Sequence, residues 1–146
     1  MDIDIRCEGI DNLLRRFESM GVNTEPILET ALEKGAKVLQ ANIKPLVPVD
    51  EGTLRNSISV EKSDRLAYSV GTNLKYAVYV EYGTGKFGDP TVPHTTKDSW
   101  VYFNDKAGHF VTTHGQPASH FMHDGFYNGK DAAVDEVRKE LIRWLT

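Results

Sequence analysis

The chain has 146 residues, 40% of them hydrophobic, and its 17 basic and 21 acidic side chains leave a net charge of -4. That length suits one domain able to bury roughly 70% of the surface its unfolded chain exposes, and the mixed, slightly acidic balance excludes the broad electropositive footprint that grips phosphates regardless of sequence. A lone cysteine, Cys7, excludes an internal disulfide and reads as a small buried hydrophobe. The opening Met1-Asp2-Ile3-Asp4-Ile5-Arg6 lacks a signal peptide's basic stretch and apolar run, and no apolar run approaches a membrane span, so a soluble cytosolic product with no membrane partner is expected.

Ile3 and Ile5 alternate with polar neighbours and predict a short opening strand. Ile10, Leu13, Leu14, Phe17 and Met20 recur at helical spacing, and Gly21 supplies a stop. Thr24 is placed to cap a second helix, with Pro26 tolerated in its first turn and Leu28, Leu32, Gly35, Leu39 and Ile43 forming one stripe up to about Leu46. Gly35 costs stability in mid-helix, so another backbone is expected to approach it closely. Pro45 and Pro48 end this helix, and Pro48-Val49-Asp50-Glu51-Gly52-Thr53 reads as a turn leading out of it.

The period then changes to two. Ile58 and Val60, followed by Leu66, Tyr68 and Val70, alternate with polar residues around a Ser63-Asp64-Arg65 turn, which predicts a hairpin with one buried face. Tyr76, Tyr79 and Tyr82 lead into Gly83-Thr84-Gly85; the segment is compatible with a strand, but a short helix ending at Gly83 is preferred, with one or two of the tyrosines buried. From Thr84 to Gly115 the composition turns to Gly, Pro, Thr, His and Asp. Trp100-Val101-Tyr102-Phe103 and His109-Phe110-Val111-Thr112 flank a five-residue loop there and predict an arm-like hairpin. Val134, Val137, Leu141, Trp144 and Leu145 predict a terminal helix packed on the long one, with Glu136/Lys139 and Asp135/Lys139 paired on its polar side. The fold class expected is α+β: long N-terminal and C-terminal helices on a small antiparallel sheet, one domain over 1–146 with a mobile arm at about 84–115.

An aromatic cluster beside a loop segment suits protein docking. Trp100, Tyr102, Phe103 and Phe110 either fold back as a satellite core or reach a neighbouring subunit, and the second is favoured because a two-stranded hairpin is marginal alone. Gly83 and Gly85 read as the pivot of the arm, since no Lys-Ser/Thr follows to make a phosphate loop. Asp50 and Glu51 are adjacent turn residues with no third group for acid–base work. Asp50 or Thr53 reads as the cap of the turn, Gly52 as its backbone freedom, and Arg55 as its tie to a carbonyl or an acidic side chain.

Three fragments, in this order, carry a family pattern: Pro48-Val49-Asp50-Glu51-Gly52-Thr53-Leu54-Arg55-Asn56-Ser57-Ile58, Tyr76-Ala77-Val78-Tyr79-Val80-Glu81-Tyr82-Gly83-Thr84, and Gly115-Gln116-Pro117-Ala118 with Phe121-Met122. Over about residues 25 to 146 the chain resembles the tail-completion, or head-tail joining, proteins of long-tailed double-stranded DNA bacteriophages, the gene-product-ten-like tail components of phages of the HK-ninety-seven type. Relatives usually show Arg-Pro where Ser119 and His120 stand, which removes that arginine's contact here. The resemblance implies a structural virion protein without enzymatic activity or cofactor, located in the neck and, during assembly, in the host cytoplasm. It implies stacking of copies as rings, with head-closure or connector proteins and tail terminator or tail-tube proteins as partners and DNA passing without tight binding.

Two readings of other classes compete with it. A small metal-dependent hydrolase would use His94, His109, His114, His120 or His123 with Asp98, Asp105 or Asp124, although His120 and His123 at i and i+3 complete no known ligand spacing. A nucleic-acid-binding accessory protein would show strong, salt-sensitive retention of DNA.

Overall fold

A computed structural model of the chain describes residues 1–6, 11–21, 23–49 and 52–145. Cys7, Ile10, Asp50 and Glu51 lie outside the described residues, so the expectations placed on them have no structural counterpart here. Strand β1 (Asp2–Arg6) and helix α1 (Asp11–Ser19) open the fold, followed by α2 (Glu25–Ile43), whose line continues through a 3-10 turn over Lys44–Leu46. Next come a short helix α3 (Thr53–Ser57), strands β2 (Ser59–Asp64) and β3 (Ala67–Gly71), helix α4 (Ala77–Tyr82), strands β4 (Trp100–Asn104) and β5 (His109–Thr113), and the 25-residue helix α5 (Phe121–Leu145). The expected α+β class is what the structure shows.

Helix α2 is the centre of the fold. Its predicted stripe is buried along its whole length, with Leu28, Leu32, Gly35, Leu39 and Ile43 all inside. It packs on the three-stranded antiparallel sheet β1-β3-β2 and also on α5. Thr24 holds the cap position of α2 without making a cap bond: its hydroxyl is buried and unpartnered, and Asn23 Oδ1 accepts the Glu25 N–H instead, at 3.3 Å.

The seam between α2 and α5 is made by small residues. Gly125 and Gly129 of α5 press on Ile43 and Asn42, and Gly35 of α2 presses on Ala133 and Val137, so the close approach expected at Gly35 is present. This fixes the inward face of α5 differently from the apolar spacing at its end. Phe121, Met122, Gly125, Gly129, Ala133 and Glu140 face inward, Val137 and Leu141 are half-buried, and Val134 and Trp144 are exposed. The buried Glu140 carboxylate accepts from Lys34 Nζ (2.8 Å), Arg143 (2.7 Å) and Trp144 Nε1 (2.8 Å). Asp135, expected opposite Lys139, pairs with Arg138 at 3.0 Å.

The β2–β3 hairpin forms where the period-two pattern places it, but its turn lies one step later. Ser63 and Asp64 are in β2, a bulge lies between Lys62 and Asp64, and Leu66 occupies the turn with φ +57°. A branched residue is costly in that conformation. Leu66 is held there because it is buried against Leu28 and Leu32. Arg65 also binds Glu25 through two nitrogens at 2.8 and 2.9 Å, and Lys62 binds Glu29, so the hairpin is tied to α2. The expected turn before this hairpin is in part helical: Gly52 is left-handed at φ +80° and its carbonyl accepts from Asn56 N at 2.9 Å as α3 begins. Arg55 Nε is buried with no hydrogen-bond partner, so the expected tie does not run through that atom.

Candidate functional site

The tyrosine segment folds as a helix, α4. Ala77 and Glu81 are buried and Val80 packs on the core, which turns Tyr76, Val78 and Tyr79 outward. None of the three tyrosines is fully buried, contrary to expectation: Tyr76 and Tyr79 are exposed and Tyr82 is half-buried. The inward side of this short helix is filled by alanine, valine and a carboxylate, and two turns leave no room for a large ring.

Glu81 is the residue that sequence reasoning missed. Only 2% of it is exposed, and its carboxylate accepts the backbone N–H groups of Met122 (2.8 Å) and His123 (3.1 Å) at the start of α5. The position that would normally cap α5 is His120, itself left-handed at φ +54°, so a carboxylate distant in sequence satisfies the orphaned donors and meets the positive end of the helix dipole. The backbone is bound here too, with His120 N donating to Glu81 O and Ser119 N to Val80 O, both at 3.0 Å. A glutamate inside an aromatic and apolar run was the available signal.

The arm leaves and re-enters the body at one clamped point. Thr84 and Gln116 exchange backbone hydrogen bonds of 2.8 and 3.1 Å, and Gln116 Nε2 donates to Tyr79 O at 3.1 Å. Gly83 (φ +74°) has the Ala118 and Gln116 backbone where a side chain would stand, and Gly85 (φ +67°) has the Trp100 ring there. These two glycines permit close packing at the root. The segment beyond them returns to the body through Asp89, whose N–H donates to Tyr82 O (2.7 Å) and whose side chain lies 3.3 Å from His120 Nε2. Hydrogen bonds from the Thr91 hydroxyl and N–H hold the Asp89 carboxyl below its usual range, with His120 and His94 adding to the effect.

Past Trp100 the chain forms the predicted hairpin. Asn104 caps its turn by accepting from Lys106 and Ala107 N–H, both at 3.0 Å. Strands β4 and β5 make a sheet of their own, and among the described residues no other helix or strand packs extensively on it. Register divides its side chains into two faces. Trp100, Tyr102 and Val111 share one, where Trp100 and Val111 are half-buried; Val101, Phe103 and Phe110 share the other and are 61%, 49% and 69% exposed, with the Phe103 and Phe110 rings edge to face at 5.3 Å. The satellite-core reading therefore holds only at the Trp100 side.

Beside the root, a cleft of about 380 Å³ lies between Met1-Asp2-Ile3 and Tyr82, Met122 and Phe126, with Glu81 and His123 completing its lining. Of the loop histidines, His120 and His123 lie together, their ring centroids 6.0 Å apart. His120 faces Asp89, His123 pairs with its neighbour Asp124, His94 bonds Val92 O, and His109 and His114 are on the arm. Among the described residues no group of three or more His, Cys, Asp or Glu is disposed to hold a metal ion, and no helix is long and apolar enough to cross a membrane.

No curated protein and no solved structure matches the chain. Residues 11–83, half of the chain, match the family model described as "Bacteriophage HK97-gp10, putative tail-component". That span takes in the first of the three fragments read as a family pattern and the second up to Gly83; the third, from Gly115 to Met122, lies beyond it. The matched span holds α1, α2, α3, the β2–β3 hairpin and the tyrosine helix α4, whereas β1, the arm hairpin and α5 lie outside it, and by this match the chain belongs to the HK97-gp10-like family of bacteriophage tail components.

Proposed function

We propose that the protein is a structural part of the virion at the head-tail junction, where copies assemble into a ring that joins the tail to the head-closure proteins. The observation that carries this reading is the β4–β5 hairpin, which stands apart from the body with Val101, Phe103 and Phe110 bare on one face. A two-stranded hairpin is marginal in water unless its apolar face is covered. A projecting element meeting a different patch on the next copy is the heterologous contact from which rings are closed. The exposed side of α4, with Tyr76 and Tyr79, offers a second surface of the rigid aromatic kind that interfaces favour.

The reading assigns no catalysis and no cofactor. Its partners are further copies of the chain, head-closure or connector proteins, and tail terminator or tail-tube proteins. DNA passes without being held, because 17 basic side chains set among 21 acidic ones leave a net charge of -4, without the positive field that captures phosphate. The protein acts in the virion after assembly in the host cytoplasm. Deleting residues 86–114 and weighing assembled particles by light scattering tests the reading: rings should be lost, and rings of unchanged mass would remove the arm from the interface.

A further inference from the structure

We infer that the cleft beside β1 is the seat for the bare face of the β4–β5 hairpin of a second copy, with Phe103 and Phe110 as the inserted pair. This rests on the ring reading above and names the receiving surface within it.

The first support is the backbone. Sheet order β1-β3-β2 leaves the outer edge of β1 without a partner strand among the described residues. Thr72 N donates to Met1 O at 3.0 Å, so by the alternation of an antiparallel ladder Ile3 and Ile5 also bond toward β3, and the N–H and C=O groups of Asp2 and Asp4 point away from it. The cleft runs along this edge at Met1, Asp2 and Ile3. An extended strand laid there would continue the sheet while its side chains entered the cleft, which is the way sheet edges take up a foreign strand. The hairpin brings strands of five residues, the length of β1, whose outer edges likewise have no partner strand among the described residues.

The second support is the match of surface and charge. The cleft wall is apolar at Ile3, Met122 and Phe126, and its size is at the lower end of that of pockets that enclose a group of drug size. Phe103 and Phe110, stacked edge to face, form a compact wedge of that kind. The exposed Asp2 lines the cleft, whereas β4 and β5 carry no carboxylate and β5 opens on His109. Ring edges carry partial positive charge and suit such a carboxylate, while an acidic strand would be repelled.

Cross-linking tests the seat on the full chain. In a Cys7→Ser background, an Asp2→Cys form and a Phe110→Cys form of different tagged mass are mixed at high concentration and treated with a short bismaleimide. Both positions are exposed, so both forms should fold as the parent does. A seated hairpin raises the effective concentration of one thiol at the other, so the Asp2–Phe110 heterodimer should exceed an Asp135→Cys/Phe110→Cys control by roughly tenfold. Yields equal to the control, or a predominance of Phe110–Phe110 homodimers, overturn the seat. Light scattering on the parent chain at the same concentration separates the two ideas: association without the heterodimer refutes the seat alone, and a monomer giving no cross-link refutes the ring reading with it.

Discussion

Replacing Gly125 by alanine sets local helix preference against tertiary packing. Within α5, alanine is better than glycine by about 1 kcal/mol, so an isolated helix would be stabilised. In the folded protein the new Cβ would stand 2.5 Å from Ile43 Cγ1 and 2.7 Å from the Ile43 Cα, where carbon atoms normally rest about 3.5–4 Å apart. The second contact is backbone and cannot rotate aside, so α2 and α5 must separate by roughly 1 Å, and a gap of that size forfeits a quarter to a half of each dispersion contact across the seam. Overpacking of this kind costs typically 1–3 kcal/mol or more. We expect Gly125→Ala to lower stability by about 1–3 kcal/mol, a fall in thermal midpoint of roughly 3–10 °C, measured by circular dichroism and urea titration. Asn128→Ala, exposed on the same helix, should instead be neutral or gain up to about 0.5 kcal/mol. A Gly125→Ala protein as stable as the parent, or more so, would refute the packing argument.

Other outcomes follow from the same contacts. Glu81→Ala removes the carboxylate that satisfies Met122 and His123 N–H, and should cost about 1–2 kcal/mol, with hydrogen exchange rising first at the N-terminal turn of α5; uniform exchange along the helix would argue against a capping role. Phe121→Ala, at a fully buried position, should cost about 3–5 kcal/mol in a urea titration, and a loss under 1 kcal/mol would mean the site collapses around the vacancy. Acid should destabilise the fold in a defined window. Glu140 is held below its ordinary 4.5 by the Lys34 bond and then by Trp144, Glu25 by Arg65, and Asp89 below 3.8 by Thr91. For groups depressed in the folded state the stabilisation is complete above the unfolded values and is lost as pH falls through the folded ones, so urea midpoints should be flat above about pH 5 and decline below about pH 4.5. In a Glu140→Gln variant that decline should be shallower, and an unchanged slope would show that Glu140 does not contribute.

Much of the fold was legible because it rests on local periodicity. The α2 stripe from Leu28 to Ile43, the change to period two after Ile58, the arm hairpin around its five-residue loop and the close approach at Gly35 all follow from spacing and residue type, and each is present. What spacing could not give was the choice between faces. The apolar pattern near the end of α5 pointed to Val134 and Trp144, yet the inward face is set by Gly125, Gly129 and Ala133, because helices approach most closely where side chains are smallest. Leu66 looked like a strand residue and lies in a turn, since burial against α2 outweighs its backbone preference.

The site divides in the same way. The sequence by itself determined that a hairpin rich in aromatics follows a tyrosine helix and a pair of glycines, since turn chemistry and alternation act within a few residues. Only the tertiary structure decided that Tyr76 and Tyr79 face out, that the arm's root is clamped by Thr84 and Gln116, that Glu81 caps a helix some forty residues away, and that the edge of β1 lies beside an apolar cleft. Each depends on which surfaces meet across the chain, and burial, unlike period, is a property of that meeting.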